Sequence, residues 1–424
     1  MKQLPPRSGR LLELITRIAP IPLSITLLCG VVSFVKNEGL WHAYLIPFIV
    51  WSILSLTQMW VKQYPEKASY REQCFLFALV WILCAAISAL PFLFVQQTVD
   101  FPDYSSAFFE AMSGYTSAGL TMVSDPSKLP ASIQLYRSVM QWVGGLGFAL
   151  FAMTAINSAD SIDSMLEASG LSKSDRFNGQ RLIKAYLYTY IALTIFILVG
   201  LVLYSIPVWE AINHSLTMAS TGGFTITANS LSSYSGHTLT FVSICLFLSA
   251  LPFPVMYLVS HGKWRIARKN TQMKVFTFCV LLALSLGMLA TTSFSSKLFN
   301  IVSAATTAGF SVGQPTSIHP AITTILVVLM IVGGASASTA GGIKINRLVW
   351  LLKGVKAYLQ NKQTQYFFNK ELVVKSKAYK NIRIAGLYLL CSLSIRLLGT
   401  LAILLLEPMS KSSDVLFEAA SAIT

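Results

Sequence analysis

Charge is what this chain has least of. Only 12% of its 424 residues are Asp, Glu, Lys or Arg, while 54% are hydrophobic; soluble domains carry about a quarter charged residues. That scarcity excludes an ordinary soluble domain and points to an integral membrane protein. Acidic residues are the scarcer sign, 17 against 32 Lys and Arg, for a net charge of +15. In a soluble chain this excess would suggest nucleic acid. In a membrane chain the accumulation of Lys and Arg in cytoplasmic loops accounts for it, and no nucleic-acid partner is expected. No carboxylate falls near the centre of a long apolar segment, where a proton- or sodium-coupled carrier would keep one. Six cysteines lie scattered through apolar segments without a Cys-x-x-Cys pair, so they read as small packing residues rather than metal ligands or disulfides. Five dispersed histidines show no metal spacing, and no nucleophile stands beside a base. An enzyme is not expected.

What the chain does have is apolar length. A spanning helix takes about 20 residues, and the sequence predicts such segments near 18–36, 43–61, 74–96, 134–156, 182–206, 238–260, 273–293, 320–352 (interrupted) and 382–406. The first follows Lys2, Arg7, Arg10 and Arg17 as a signal peptide would. It lacks a small-residue cleavage site and runs straight on to a second span, so it reads as a transmembrane helix. Lys62, Lys67 and Arg71, then Lys173, Arg176, Arg181 and Lys184, then Lys263, Arg265, Arg268, Arg347 and Lys353 through Arg383 fall on one side. Asp100, Asp103, Asp125, Glu210 and Glu407 fall on the other. The bias predicts a multi-pass protein of the plasma (inner) membrane with a cytoplasmic N-terminus.

A pentapeptide repeats on the external side. Ser117-Ala118-Gly119-Leu120-Thr121, Thr221-Gly222-Gly223-Phe224-Thr225 and Thr307-Ala308-Gly309-Phe310-Ser311 share one pattern: hydroxyl, small, glycine, large apolar, hydroxyl. Each follows a half-apolar run, near 105–116, 208–220 and 295–307, too short to span. Aligned on glycine, Glu110, His214 and Asn300 share one position, and Ser113, Thr217 and Ser303 another. The repeating unit is therefore helix, half-helix, loop, helix, at 74–156, 182–260 and 273–352, with a fourth beginning at 382. Non-helical backbone enters a membrane only where protein buries it or where it lines a water-filled path. The loops look like degenerate relatives of the carbonyl-lined Thr-Val-Gly-Tyr-Gly potassium filter. Candidate filter residues are Thr116, Ser117, Ala118, Gly119 and Leu120; Ser220, Thr221, Gly222, Gly223 and Phe224; and Thr306, Thr307, Ala308, Gly309 and Phe310, with K+ as the transported ion held there.

The interruption of 320–352 is a second glycine-rich run. Gly333, Gly334, Ser336, Ser338, Thr339, Gly341, Gly342 and Lys344 break the segment at mid-depth, a composition foreign to an ordinary spanning helix. No Gly-Lys-Ser/Thr follows at phosphate-loop spacing, which excludes a phosphate cradle. A movable gate below the filter fits, and a kinked helix anchored by a snorkelling Lys344 is the rival reading. Arg396 is the charge that stands well inside a spanning segment. Pairing with Glu110 or Glu418 and a purely structural tether are its two readings.

The three loops, with Gln141-Trp142-Val143-Gly144-Gly145-Leu146-Gly147 after the first and Gly333 through Lys344 after the third, resemble the Trk/Ktr/HKT superfamily of potassium transporters. The resemblance implies an all-α membrane protein of helix–half-helix–filter loop–helix units, pseudo-fourfold around one pore, with two extra N-terminal helices as in the bacterial Trk type. It implies pore units at 67–165, 166–265 and 266–365 after an extension at 1–66, and the start of a fourth unit at 366–424, whose filter loop and last helix are missing. A longer parent protein is the expectation. The resemblance further implies K+ uptake without an organic cofactor, a homodimer, a cytoplasmic nucleotide-binding regulatory subunit of the RCK type, and lipid contacts. Glycine at the filter position of all three loops favours potassium over the sodium-selective relatives, which carry serine in the first. The alternatives are an ion-coupled secondary carrier for another small solute and an inactive truncated fragment.

Overall fold

The computed structural model describes residues 7–61, 70–95, 103–154, 179–287, 293–313, 320–359, 377–407 and 412–423. Among these residues there are helices and turns and no strand, as an all-α membrane chain requires. The described helices long and apolar enough to span are Gly9–Val35, Cys74–Val95, Arg181–Leu203 and Asn381–Leu406. All six cysteines are free thiols.

Contacts divide the chain into two units. The first comprises Met1–Asn157 and Ile197–Ser230. Its N-terminal span is nearly continuous: α1 (Arg7–Ile18) and α2 (Pro20–Val35) meet at Ala19, which keeps helical angles (φ −47°, ψ −35°), and the ladder is interrupted where Pro20 has no N–H to donate. After α3 (Leu45–Thr57) and α4 (Tyr70–Ser88) comes the first half-helix, α5 (Tyr104–Thr116). Asp103 caps it, accepting the Ser106 N–H at 2.9 Å, and these hydrogen bonds from Ser106 hold its carboxyl below the usual carboxylate range. At thirteen residues the half-helix is about 20 Å long, short of the about 30 Å a bilayer core demands. It ends inside the fold and must turn back. The longer α6 (Ala131–Thr154) packs against α2, α5 and the second half-helix, α8 (Val208–Ala219). Ile133, Tyr136, Met140, Phe92, Trp51 and Tyr115 fill the core between them.

The second unit comprises Ser158–Phe196 and Leu231–Thr424; α7 (Gly179–Leu203) has residues in both. The segment read as one span over 238–260 is two helices, α9 (Gly236–Ser249) and α10 (Phe253–Ser260), bent by 106°. Hydropathy misses the break because Ala250 and Leu251 are apolar; Pro252 withholds a backbone N–H and ends α9. The basic α11 (Trp264–Lys269) leads into α12 (Thr271–Gly287), and the third half-helix, α13 (Phe294–Ala305), is capped by Ser293. The interrupted segment resolves into α14 (Pro320–Val332) and α15 (Ile345–Leu359) around an extended loop. The long α16 (Lys377–Leu406) and short α17 (Ser412–Ala422) follow.

One packing rule recurs in both units. Each later half-helix lies on the helix that follows the preceding loop: α8 on α6, α13 on α9, α17 on α14. The contacts run at backbone distance in the first repeat. A Cβ on Gly144 of α6 would stand 2.2 Å from the Tyr115 carbonyl oxygen of α5. Alanine stabilises a bare helix over glycine by about 1 kcal/mol, so Gly144→Ala separates propensity from packing. The variant is expected to lower the thermal midpoint in detergent, the collision outweighing the propensity gain; a raised midpoint would contradict this packing.

Candidate functional site

The three repeated loops begin with the same chain reversal. At the end of α5 the Ser117 N–H donates to the Gly114 carbonyl and the Ala118 N–H to the Ser113 carbonyl, both at 3.1 Å. At the end of α8 the Thr221 N–H reaches Met218 at 3.1 Å and Gly222 reaches Thr217 at 2.8 Å. At the end of α13 Thr307 reaches Ala304 at 3.1 Å and Ala308 reaches Ser303 at 2.9 Å. This is the Schellman pattern, which needs one left-handed residue just past the helix. That residue is Ser117 (φ 56°), Thr221 (φ 51°) and Thr307 (φ 52°). Glycine usually takes this place, and a side chain in it costs about 1–2 kcal/mol. Two residues on, Gly119, Gly223 and Gly309 are left-handed again, with φ 76°, 86° and 75°. The residue ahead of each reversal folds its hydroxyl back onto its own helix: Thr116 to Met112, Ser220 to Leu216 and Thr306 to Ser303.

A second device closes each loop. The position shared by Glu110, His214 and Asn300 accepts a backbone N–H twelve residues later: Met122 to Glu110 Oε2 at 2.9 Å, Ile226 to His214 Nε2 at 3.4 Å, and Val312 to Asn300 Oδ1 at 3.0 Å. Three chemically different acceptors perform one task. Only the first is a carboxylate, and it lies fully buried, which demands a counter-charge. Arg137 of α6 supplies it, its Nε 2.7 Å from Glu110 Oε1, with both side chains out of solvent. The same guanidinium donates through Nη2 to Thr121 Oγ1 and through Nη1 to the Thr225 carbonyl, both at 3.1 Å. It also lies 4.1 Å above the Phe224 ring. Arg137 thus ties the first loop to the second.

Gln141, one helical turn further along α6, ties them again. Its Nε2 donates to the Gly222 carbonyl at 2.6 Å, its Oε1 accepts the Phe224 N–H at 3.1 Å, and its own carbonyl accepts the Ser117 hydroxyl at 3.2 Å. The amide side chain grips both neighbours of Gly223. The two loops approach so closely that a Cβ on Gly119 would fall 2.2 Å from the Gly222 oxygen, and one on Gly222 would fall 2.4 Å from Gln141 Oε1. The carbonyls of Gly119, Gly223 and Gly309 accept no hydrogen bond among the described residues.

In the second unit, the third loop is braced by Ser303, whose hydroxyl donates to the Phe310 carbonyl at 2.6 Å, and by the Asn300 amide, which donates to the Val312 carbonyl at 3.0 Å. The glycine-rich run lies against this loop: the Gly341 N–H donates to Thr307 Oγ1 at 2.6 Å. Its neck is closed backbone to backbone. Gly333 (φ 68°) and Gly342 (φ 80°) are left-handed, and a Cβ on Gly333 would stand 2.1 Å from the Gly341 oxygen. Gly334 is pressed against Ala340 and Ala250. The loop fills the break between α9 and α10: Ala335 donates to the Ala250 carbonyl at 2.9 Å, Thr339 Oγ1 to the Ser249 carbonyl at 3.1 Å, and Phe253 to the Ala337 carbonyl at 3.0 Å. Ser336 gives its N–H to Gln272, and Ser338 bonds within the loop to Ala335. The Lys344 ammonium turns inward to the Ala340 carbonyl. A plain kinked helix with a snorkelling lysine does not describe this segment.

Arg396 is buried, and its side-chain hydrogen bonds go to the carbonyl and hydroxyl of Ser392 on its own helix. Within the first unit Arg137 holds the Glu110 carboxylate, and among the described residues no ion pair joins Arg396 to Glu418. Arg137 lies in none of the sequence motifs, and Gln141 enters one only as the first residue of Gln141–Gly147. Their shared signal is a basic and an amide side chain, four residues apart, on an apolar helix directly after the first repeated loop.

Helices of spanning length, buried half-helices and glycine loops with unspent carbonyls suit a membrane transport protein. The chain belongs to the TrkH family, described as cation transport protein, whose pattern matches residues 42–286 and 270–424. An uncharacterized cation transporter of Methanocaldococcus jannaschii is 26% identical over 332 residues, covering 78% of this chain and 69% of that protein. The Trk system potassium uptake protein TrkH of Escherichia coli is 27% identical over 346 residues, covering 76% and 70%. The crystal structure of the potassium transporter TrkH from Vibrio parahaemolyticus has the same fold, with a TM-score of 0.79 over 98% of this chain and 90% of that one at 22% identity.

Removing one partner of a buried ion pair costs about 3–5 kcal/mol, because it strands the other charge. Arg137→Met is expected to destabilise by about that amount, read as a shift in detergent unfolding. Adding Glu110→Gln should recover part of the loss; an additive double variant would show that the two residues do not depend on each other.

Proposed function

We propose that this chain mediates potassium uptake across the plasma membrane, its three repeated loops supplying backbone carbonyls to a selectivity filter. The observation that carries the reading is the threefold recurrence of one backbone course: left-handed hydroxyl residue, small residue, left-handed glycine whose carbonyl is not spent on the protein. Such carbonyls substitute for the hydration shell of a cation. Each half-helix points its partially negative C-terminal end at its loop, which further favours a cation. The relatives named above that carry a function in their names are potassium uptake proteins and a cation transporter, which supports potassium as the cargo.

In this reading Gly333 through Lys344 form the gate, a folded loop that obstructs conduction and yields when opened. The basic loops face the cytoplasm, as does the N-terminus. The chain works as a homodimer with an RCK-type nucleotide-binding regulatory subunit on its cytoplasmic face. The word system in the relatives' names supports further subunits.

The filter assignment is tested by growth at low potassium in a bacterium lacking its own uptake systems. The gene is expected to restore growth, and Gly223→Ser to abolish rescue or admit sodium, since a serine at φ 86° is strained and perturbs the carbonyl. Equal rescue by both would overturn the assignment of Gly223 to the filter.

A further inference from the structure

Two side chains from outside the glycine-rich loop hold its backbone. Thr307 takes the Gly341 N–H at 2.6 Å, and Gln272 Oε1 takes the Ser336 N–H at 2.9 Å. Gln272 is a buried amide, 3% exposed, on the first turn of α12. It lies three residues beyond the basic helix Trp264–Lys269, and Asn270 fixes the joint by accepting the Met273 N–H at 3.1 Å. A polar side chain has reason to be buried there only if polar groups meet it, and its Oε1 meets one on the loop. The other loop contacts, to Ser249, Ala250 and Phe253, all engage the break in a neighbouring helix. Among the loop contacts given above, that of Gln272 runs to the segment bearing Lys263, Arg265, Arg268 and Lys269.

We propose that Gln272 is a positioning residue that latches the glycine-rich loop in its closed form and transmits movement of the basic α11 segment to it, with Thr307 as the second latch at the filter loop. The inference rests on the gate reading above. When α11 shifts, the Gln272 amide leaves Ser336, an orphaned N–H disfavours the closed loop, and the loop's departure lets water satisfy it. Loss of such a hydrogen bond with its partner left unpaired shifts a closed–open balance about tenfold.

The test is flux of potassium and of sodium through the purified full chain in lipid vesicles without any regulatory protein. Gln272→Leu, which keeps bulk and removes the acceptor, is expected to raise potassium flux about tenfold at an unchanged potassium-to-sodium ratio. Gln272→Asn, which keeps the amide and shortens its reach without adding charge, is expected to fall between Gln272→Leu and the unsubstituted chain. Thr307→Val should also raise potassium flux, giving a second reading should the first variant not fold. Unchanged or lower flux in folded Gln272→Leu protein would overturn the latch. So would a rise that also erases discrimination against sodium, since that marks general loosening. Absence of cation flux from the unsubstituted chain and every variant would instead remove the transport reading itself.

Discussion

A chain that leaves its helix inside a membrane must find partners for backbone groups that lipid cannot satisfy, and every feature of the repeated loops answers that demand. The half-helices end in Schellman reversals, which return two N–H groups to the last turn. The residue at the Glu110, His214 and Asn300 position then reaches forward to a third N–H, twelve residues away. With those groups settled, the backbone between is fixed at both ends, and the glycine carbonyls are among the acceptors left over. The proposed filter is what remains after the protein has satisfied the backbone donors around it.

The same demand explains why the repeats diverged in sequence yet not in course. What the loop requires is an acceptor at one point, and a carboxylate, an imidazole nitrogen and an amide oxygen all qualify. Their side effects differ. The carboxylate brings a buried charge and therefore Arg137, which then acquires further tasks at Thr121, Thr225 and Phe224. The amide at Asn300 brings its own donor and returns it to Val312, so it needs no outside partner. One substitution at an equivalent site thus decides whether a neighbouring helix must carry a cation.

Much of this was legible in the sequence because it repeats. Aligning three glycines placed Glu110, His214 and Asn300 together before any contact was known, and the glycine-rich break in 320–352 lies where helix α14 ends. The left-handed turns at Ser117, Thr221 and Thr307 were not legible, because Ser and Thr do not announce positive φ as glycine does. Arg137 is less conspicuous in the sequence than Arg396, since it is near a helix end where a charge is ordinary; only the fold shows it to be buried. The bend after Ser249 was hidden by apolar neighbours, with Pro252 its single clue.

That bend and the glycine-rich loop explain each other. A helix broken at depth strands carbonyls at its end and N–H groups at the start of the next piece. Here the Ser249 and Ala250 carbonyls take donors from Thr339 and Ala335, and the Phe253 N–H is taken by Ala337. Two interruptions, each costly alone, are joined into one hydrogen-bonded body. The loop therefore cannot leave without reopening the break, and a backbone so exposed is tolerable only if water replaces it. Departure of the loop and hydration of the space beside Thr307 are then one event. That coupling is what the proposed gate requires: water enters as the loop leaves and is expelled as it returns.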